Sequence, residues 1–158
     1  MADINLIKIE NRFDKGSLSF LNPRNWFRKK YTKENTNILF IDDEDMPVVD
    51  NLKKAGYRVK KVRDVKDVDD AEVQSAQLIF VDYRGVGKNI SQTYEGLGLA
   101  ERLVDTYKNK KRIILYSAYN FSSDVALNEI FNKVHNRISK NSDTSEFMKL
   151  IELEISRL

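Results

Sequence analysis

The chain has 158 residues, 41% hydrophobic and 32% charged, with no cysteine and one histidine. That length suits one domain able to bury about two thirds of its unfolded surface, and the composition is that of a soluble globular protein. It excludes a disulfide scaffold, thiolate metal sites, a cysteine nucleophile and a histidine-rich metal centre, and it argues against a Ser-His-Asp hydrolase.

The net charge of +3 is uneven: residues 1–36 carry eight Lys/Arg against four Asp/Glu, and the remainder nineteen against twenty. The basic character therefore belongs to the leader. MADINLIKIE lacks the cationic start and apolar stretch of a signal peptide, and the run Ile38–Ile41 is far too short to span a bilayer. The expected location is the cytoplasm. Residues 19–31 interleave Phe20, Leu21, Trp26, Phe27 and Tyr31 with Arg24, Arg28, Lys29 and Lys30. Three readings stand: aromatics docked on the domain's own surface with the cations solvated, a basic element for an anionic membrane surface or a partner protein, or a nucleic-acid contact. The polar stretch Thr32–Asn37 marks the expected boundary between an extension, 1–36, and a domain, 37–158.

From there two periods alternate. Asn37–Ile41 is a short apolar strand ending in acids. A helix follows, with Pro47 in its first turn, Val48, Val49 and Leu52 on one face, and Gly56 as its stop. Tyr57–Val62 is a more polar strand, and the acidic stretch Asp64–Ala71 predicts a short, solvated helix. Gln77–Asp82 is a buried strand ending in an acid. Leu97, Ala100, Leu103, Val104 and Tyr107 keep a helical period, Arg112–Ser117 is a fourth strand, and Leu127, Ile130, Phe131 and Val134 give another helix. Asn136–Ser139 is a short last strand. Ser142 or Asp143 caps a final helix with Phe147, Leu150, Ile151, Ile155 and Leu158 on its apolar stripe. Five strands alternating with five helices imply an α/β domain: a doubly wound, five-stranded parallel sheet with helices on both faces. Such sheets bind ligands outside the carboxyl ends of their strands.

Those ends carry chemistry. The first strand delivers Asp42, Asp43, Glu44 and Asp45, the third Asp82, the fourth Ser117 followed by the small Ala118, and the fifth Lys140. Carboxylates gathered at one point repel unless a cation sits among them, and all-oxygen ligation suits Mg²⁺. A hydroxyl and an ammonium at the same rim complete a site for a phosphoryl group. With no cysteine and no suitable histidine, an aspartate is the natural nucleophile.

The segments ILFIDDED, LIFVDYRG, IILYSAY and RISK, in this order and each closing a strand, resemble the receiver domain of two-component response regulators over about residues 37–158. The resemblance implies a flavodoxin-like (βα)5 fold, Asp42 and Asp43 as an acidic pair holding Mg²⁺, and Asp82 as phosphoacceptor and metal ligand. It further implies Ser117 as the hydroxyl that reorients on phosphorylation, Lys140 as the salt bridge to the phosphoryl group, and the main-chain carbonyl of Arg84 as a remaining metal ligand. The implied partners are a histidine kinase or phosphotransfer protein and a downstream protein. No DNA-reading output module fits in the chain.

Three departures stand out. Asn141 replaces the proline that usually follows the lysine. Arg137 replaces the aromatic switch residue three positions before it. The loop from Asp82 to Glu95-Gly96 is several residues longer than usual, lacks the usual proline, and reads as a mobile cover over the site. The pair Gly87-Lys88 is not a phosphate loop, because Asp82 and Asn89 stand where that motif needs glycine and Ser/Thr. His135 reads as surface or half-packed, and Tyr116 and Phe121 as packing residues. Two alternatives remain: a pseudo-receiver acting as a constitutive interaction module, and a Mg²⁺-dependent aspartyl phosphohydrolase. The second is disfavoured because Arg84 stands where one such family needs a second aspartate.

Overall fold

Runs of β-branched and aromatic residues become five strands: β1 (Asn37–Ile41), β2 (Arg58–Val62), β3 (Leu78–Asp82), β4 (Arg112–Ser117) and β5 (Asn136–Ser139). The computed structural model describes residues 30–118 and 125–158, with the backbone alone at 125–127. All pairings are parallel and the spatial order is β2-β1-β3-β4-β5. This is the flavodoxin-like order, and its winding reverses between β1 and β3. The three inner strands are covered on both faces, which is why they read as continuous apolar runs rather than alternating ones. Residues Tyr31–Leu158 form one compact unit.

Among the described residues the helices are α1 (Pro47–Lys54), α2 (Ala71–Ser75), α3 (Glu95–Tyr107), α4 (Val125–Lys133) and α5 (Thr144–Ile155), with one 3₁₀ turn at Lys108–Lys110. Proline at the first turn of α1 loses no hydrogen bond, and Gly56 ends the segment at φ +89°, where a side chain would be strained. Asp143 caps α5 through a capping box with Glu146. Alternate residues of the inner strands feed two cores. Leu39, Ile79 and Ile113 meet Leu103 of α3 and Phe131 of α4 on one face. Phe40, Phe80 and Ile114 meet Leu52 of α1 and Phe147 of α5 on the other.

The sequence expectation fails at several places. Asp64–Ala71 is not a helix, and helical structure begins only at Ala71. Aspartates there bond their own backbone instead: Asp67 accepts from the Val68 N–H, Asp70 from the Lys66 N–H, and Asp64 from the Val65 N–H. Such local bonds offer the chain an alternative to helix. Nor is the long loop a loose cover. Val86 is fully buried in the core, the Gly87 N–H donates to Asp64 at 2.8 Å and the Gly85 N–H to Glu95 at 2.7 Å. The strands Tyr57–Val62 and Gln77–Asp82 each start one residue later than expected. Of the leader aromatics, Tyr31 packs against the α1–α5 core. Phe20, Leu21, Trp26 and Phe27, their basic neighbours up to Lys29, and Phe121 lie outside the described residues, as does the side chain of Leu127.

Candidate functional site

Parallel pairing carries every strand end to one edge, so the residues that close β1, β3, β4 and β5 arrive together. Just past the end of β1, the Asp42 N–H still bonds Val62 O at 3.0 Å, which extends the pairing by one residue, while Asp43 beyond it is exposed. Asp82 closes β3 in register with Tyr116, and Ser117 closes β4 in register with Ser139. The Lys140 N–H donates to Ser117 O at 2.8 Å, extending that pairing by one residue. The Asn141 N–H then donates to Ser139 Oγ at 3.1 Å, a bond that a proline in that place could not make.

Among the described residues, Asp42, Asp43 and Asp82 form a group whose ligand oxygens all lie within 4.8 Å of one another. The Lys140 ammonium sits among the acids, 2.7 Å from Asp82 Oδ2, 2.9 Å from Asp42 Oδ2 and 3.6 Å from Glu44 Oε2. A cavity of about 210 Å³ opens here, lined by Asp43, Asp82, Arg84, Gly85, Ser117 and Lys140 among others. From the long loop only Arg84 and Gly85 reach it, because the chain beyond Gly85 is pinned to Asp64 and the core. Two glycines let the backbone close tightly here. A side chain on Gly96 would collide with the Asp82 carbonyl oxygen, and one on Gly85 would lie 2.6 Å from Asp43 Oδ1.

Burial pushes the Asp82 carboxyl up, against the opposing pull of Lys140 and of the Arg84 backbone N–H. Burial also disfavours the Lys140 ammonium, but its bonds to Asp82 and Asp42 outweigh that and hold its pKa above the ordinary lysine value. The two directions pull against each other, and the lysine's governs: an ammonium within 3 Å of two carboxylate oxygens stays protonated, and the pair is ionic.

Sequence reasoning assigned Asp42, Asp43, Asp82, Arg84, Ser117 and Lys140 to one rim, and all six lie there. Glu44, named with the acids at the end of β1 but given no role, approaches the ammonium. One neighbour was missed: Tyr116, read only as packing, donates its hydroxyl to Asp42 Oδ2 at 2.8 Å. The available signal was position: Tyr116 immediately precedes a strand-end hydroxyl on an inner strand. Arg137, at the usual aromatic place, is exposed and rests its guanidinium 5.5 Å from the Phe131 ring centre. His135 is half-buried, its Nδ1 accepting from the Ile113 N–H at 3.0 Å.

No family model matches the chain, and no curated protein does. Solved structures do. NtrX from Brucella abortus, in complex with ATP, aligns with 77% of this chain and 27% of its own at 17% identity and TM-score 0.57. The chain thus spans about a quarter of that protein. A response regulator from Thermotoga maritima aligns with 77% of this chain and 98% of its own at 18% identity and TM-score 0.55. A CheY-like response regulator receiver domain protein from Methanospirillum hungatei JF-1 aligns with 76% and 93% at 17% identity and TM-score 0.54. The fold is that of response regulator receiver domains. Among the described residues no helix is long and apolar enough to cross a membrane.

Proposed function

We propose that the chain is a cytoplasmic phosphoacceptor: Asp82 takes a phosphoryl group from a histidine kinase or phosphotransfer protein in the presence of Mg²⁺, and a downstream protein reads the result. The observation that carries this reading is the Lys140 ammonium bridging Asp82 and Asp42 at the cavity that Asp43 and Ser117 line. Three carboxylates within 4.8 Å, with no nitrogen or sulfur donor among them, fit a hard cation that prefers oxygen. Asp43, Asp82, Asp42 and the Arg84 carbonyl would hold it. When bound, Mg²⁺ supplies positive charge that offsets the carboxylates and the phosphoryl oxygens.

The chain's own residues do the rest. An Asp82 oxygen attacks the donor's phosphorus. A P–O bond forms as the donor's P–N bond breaks, and the electron pair leaves on the donor imidazole. Lys140 and Ser117 donate to the phosphoryl oxygens. Water later attacks the phosphorus, releasing inorganic phosphate and restoring the carboxylate. This is self-catalysed transfer and loss, not metabolic turnover. Arg84, standing two residues beyond Asp82 where a hydrolase of the aspartyl type needs a second acid, argues against sustained phosphomonoester hydrolysis.

The test is intact mass after incubation with a small phosphodonor and Mg²⁺. One added phosphoryl group is expected on the wild-type chain, and none without Mg²⁺ or on Asp82→Asn. An unmodified wild-type chain that also fails to bind beryllofluoride with Mg²⁺ would overturn the reading and leave the constitutive interaction module standing.

A further inference from the structure

The buried face beneath the acids holds a group that the proposed chemistry does not use. Tyr116 is 0% exposed, yet its polar tip is not turned to solvent or to a neighbouring carbonyl as its first choice. The hydroxyl donates to Asp42 Oδ2 at 2.8 Å, with Ile41 O a longer 3.5 Å away. The same Asp42 oxygen lies 2.9 Å from Lys140 Nζ, and the Lys140 ammonium is 5.2 Å from the centre of the Tyr116 ring. One side chain therefore touches both the buried acid and the ammonium. The ring itself has little freedom, being packed edge-on against Phe40 at 5.7 Å and Phe80 at 6.2 Å, which stack on each other at 4.4 Å.

We infer that Tyr116 is a positioning residue for this site, an inference that rests on the phosphoacceptor reading above. Asp42 is fully buried, and its Oδ1 is held by the Glu44 N–H at 2.8 Å. With Tyr116 and Lys140 on Oδ2, the carboxylate is fixed at both ends in one orientation. That fixes where its remaining lone pairs point, and it keeps the ammonium above the ring, next to Asp82. Asp43 has no such support. It is exposed, so the rigid edge of the cation site is the one that Tyr116 braces. Donors that orient a ligating carboxylate set metal affinity, and losing one costs roughly 10–100-fold. The ring also provides a face on which the ammonium rests, an attraction available to a cation and lost if the lysine swings away.

The experiment compares the full chain with Tyr116→Phe, which keeps the ring and removes only the hydroxyl, and with Phe147→Leu, which perturbs the same core without touching Asp42. Mg²⁺ affinity is read by calorimetry, and near-ultraviolet difference spectra record the phenol signal on Mg²⁺ addition. The expected results are Mg²⁺ affinity about tenfold weaker in Tyr116→Phe and unchanged in Phe147→Leu, with a wild-type phenol difference signal that diminishes in Tyr116→Phe. The Phe147→Leu arm separates loss of stability from loss of positioning. Unchanged or tighter Mg²⁺ binding in Tyr116→Phe, while the wild-type chain binds Mg²⁺ and takes up phosphoryl, overturns the inference and leaves the phosphoacceptor reading intact. A wild-type chain that binds no Mg²⁺ overturns both.

Discussion

Removing the ammonium while keeping the length of its stem isolates the charge at the centre of the site. In Lys140→Met the carboxylates of Asp42 and Asp82 lose their shared counter-ion, with oxygens no more than 4.8 Å apart. At an effective dielectric constant of about 20, two unit charges at that distance repel by about 3.5 kcal/mol. Salt relieves little of this, since Asp42 is 0% exposed and Asp82 7%. The loss falls in the range measured when one partner of a buried ion pair is deleted, about 3–5 kcal/mol. Lys140→Met should therefore be less stable than wild type by about 3 kcal/mol at pH 7 in the presence of a chelator.

Two conditions should return that stability. The first is acid. Asp82 already titrates above its ordinary value because it is buried, and without Lys140 its pKa rises further. A carboxyl whose folded pKa exceeds its unfolded one binds more protons when folded, so its contribution grows as pH falls through the folded pKa and is lost as pH rises. The gap between wild type and variant should narrow from pH 7 to pH 5. The second is Mg²⁺, which on the proposed reading would bind the folded state and should narrow the gap at constant pH. Urea unfolding followed by circular dichroism, at both pH values with and without Mg²⁺, measures the difference. An equal loss under all four conditions would mean that packing of the aliphatic stem, not charge, was removed, and the electrostatic account of the site would be wrong.

Two further outcomes follow from backbone geometry and from the single imidazole. Gly96→Ala places a methyl group against the Asp82 carbonyl oxygen, so the start of α3 or the end of β3 must move. Phosphoryl uptake measured by intact mass should slow on the order of a hundredfold with helix content retained, and normal uptake would show that this close approach does not place Asp82. His135 titrates below the ordinary histidine value, because burial and then Arg112 disfavour its cation, with Glu154 opposing. A base depressed in the fold binds more protons when unfolded, so its stability is present above the unfolded pKa of about 6.5 and declines as pH falls. It is the chain's one histidine. In an Asp82→Asn background, unfolding free energy should drop between pH 7.5 and 5.5, and His135→Gln should flatten that slope. A slope unchanged by His135→Gln would assign it to other groups.

The strand-end chemistry was legible because charge at the end of a buried apolar run is hard to explain away. Asp42 and Asp82 stand at the ends of strands covered on both faces, where an unpaired charge would be costly, and Lys140, which follows the half-exposed edge strand β5, pairs with both. The fold is shared with a solved receiver domain protein at 17% identity, where no family model matches. The acidic segment before α2 was misread for a converse reason. Asp64, Asp67 and Asp70 have the composition of a solvated helix face, and composition does not reveal that their carboxylates bond their own backbone. One bond, from the Gly87 N–H to Asp64, crosses 23 residues of chain and ties down a loop whose glycines suggested mobility.

Tyr116 and Ser117 mark the boundary of what sequence can disclose here. They are neighbours on β4, both buried, and only the serine was assigned to the site. A hydroxyl that closes a buried strand has no packing role large enough to account for it, so its chemistry stands out. A tyrosine in a core has such a role: its ring fills space between Phe40 and Phe80, and burial alone accounts for its presence. A phenylalanine would present the same ring, so only the hydroxyl sets the tyrosine apart. Its worth depends on what the strand two positions away in the sheet delivers, namely Asp42 from β1. That relation spans 74 residues and appears only when the sheet order puts β3 between them, with the Lys140 ammonium against both.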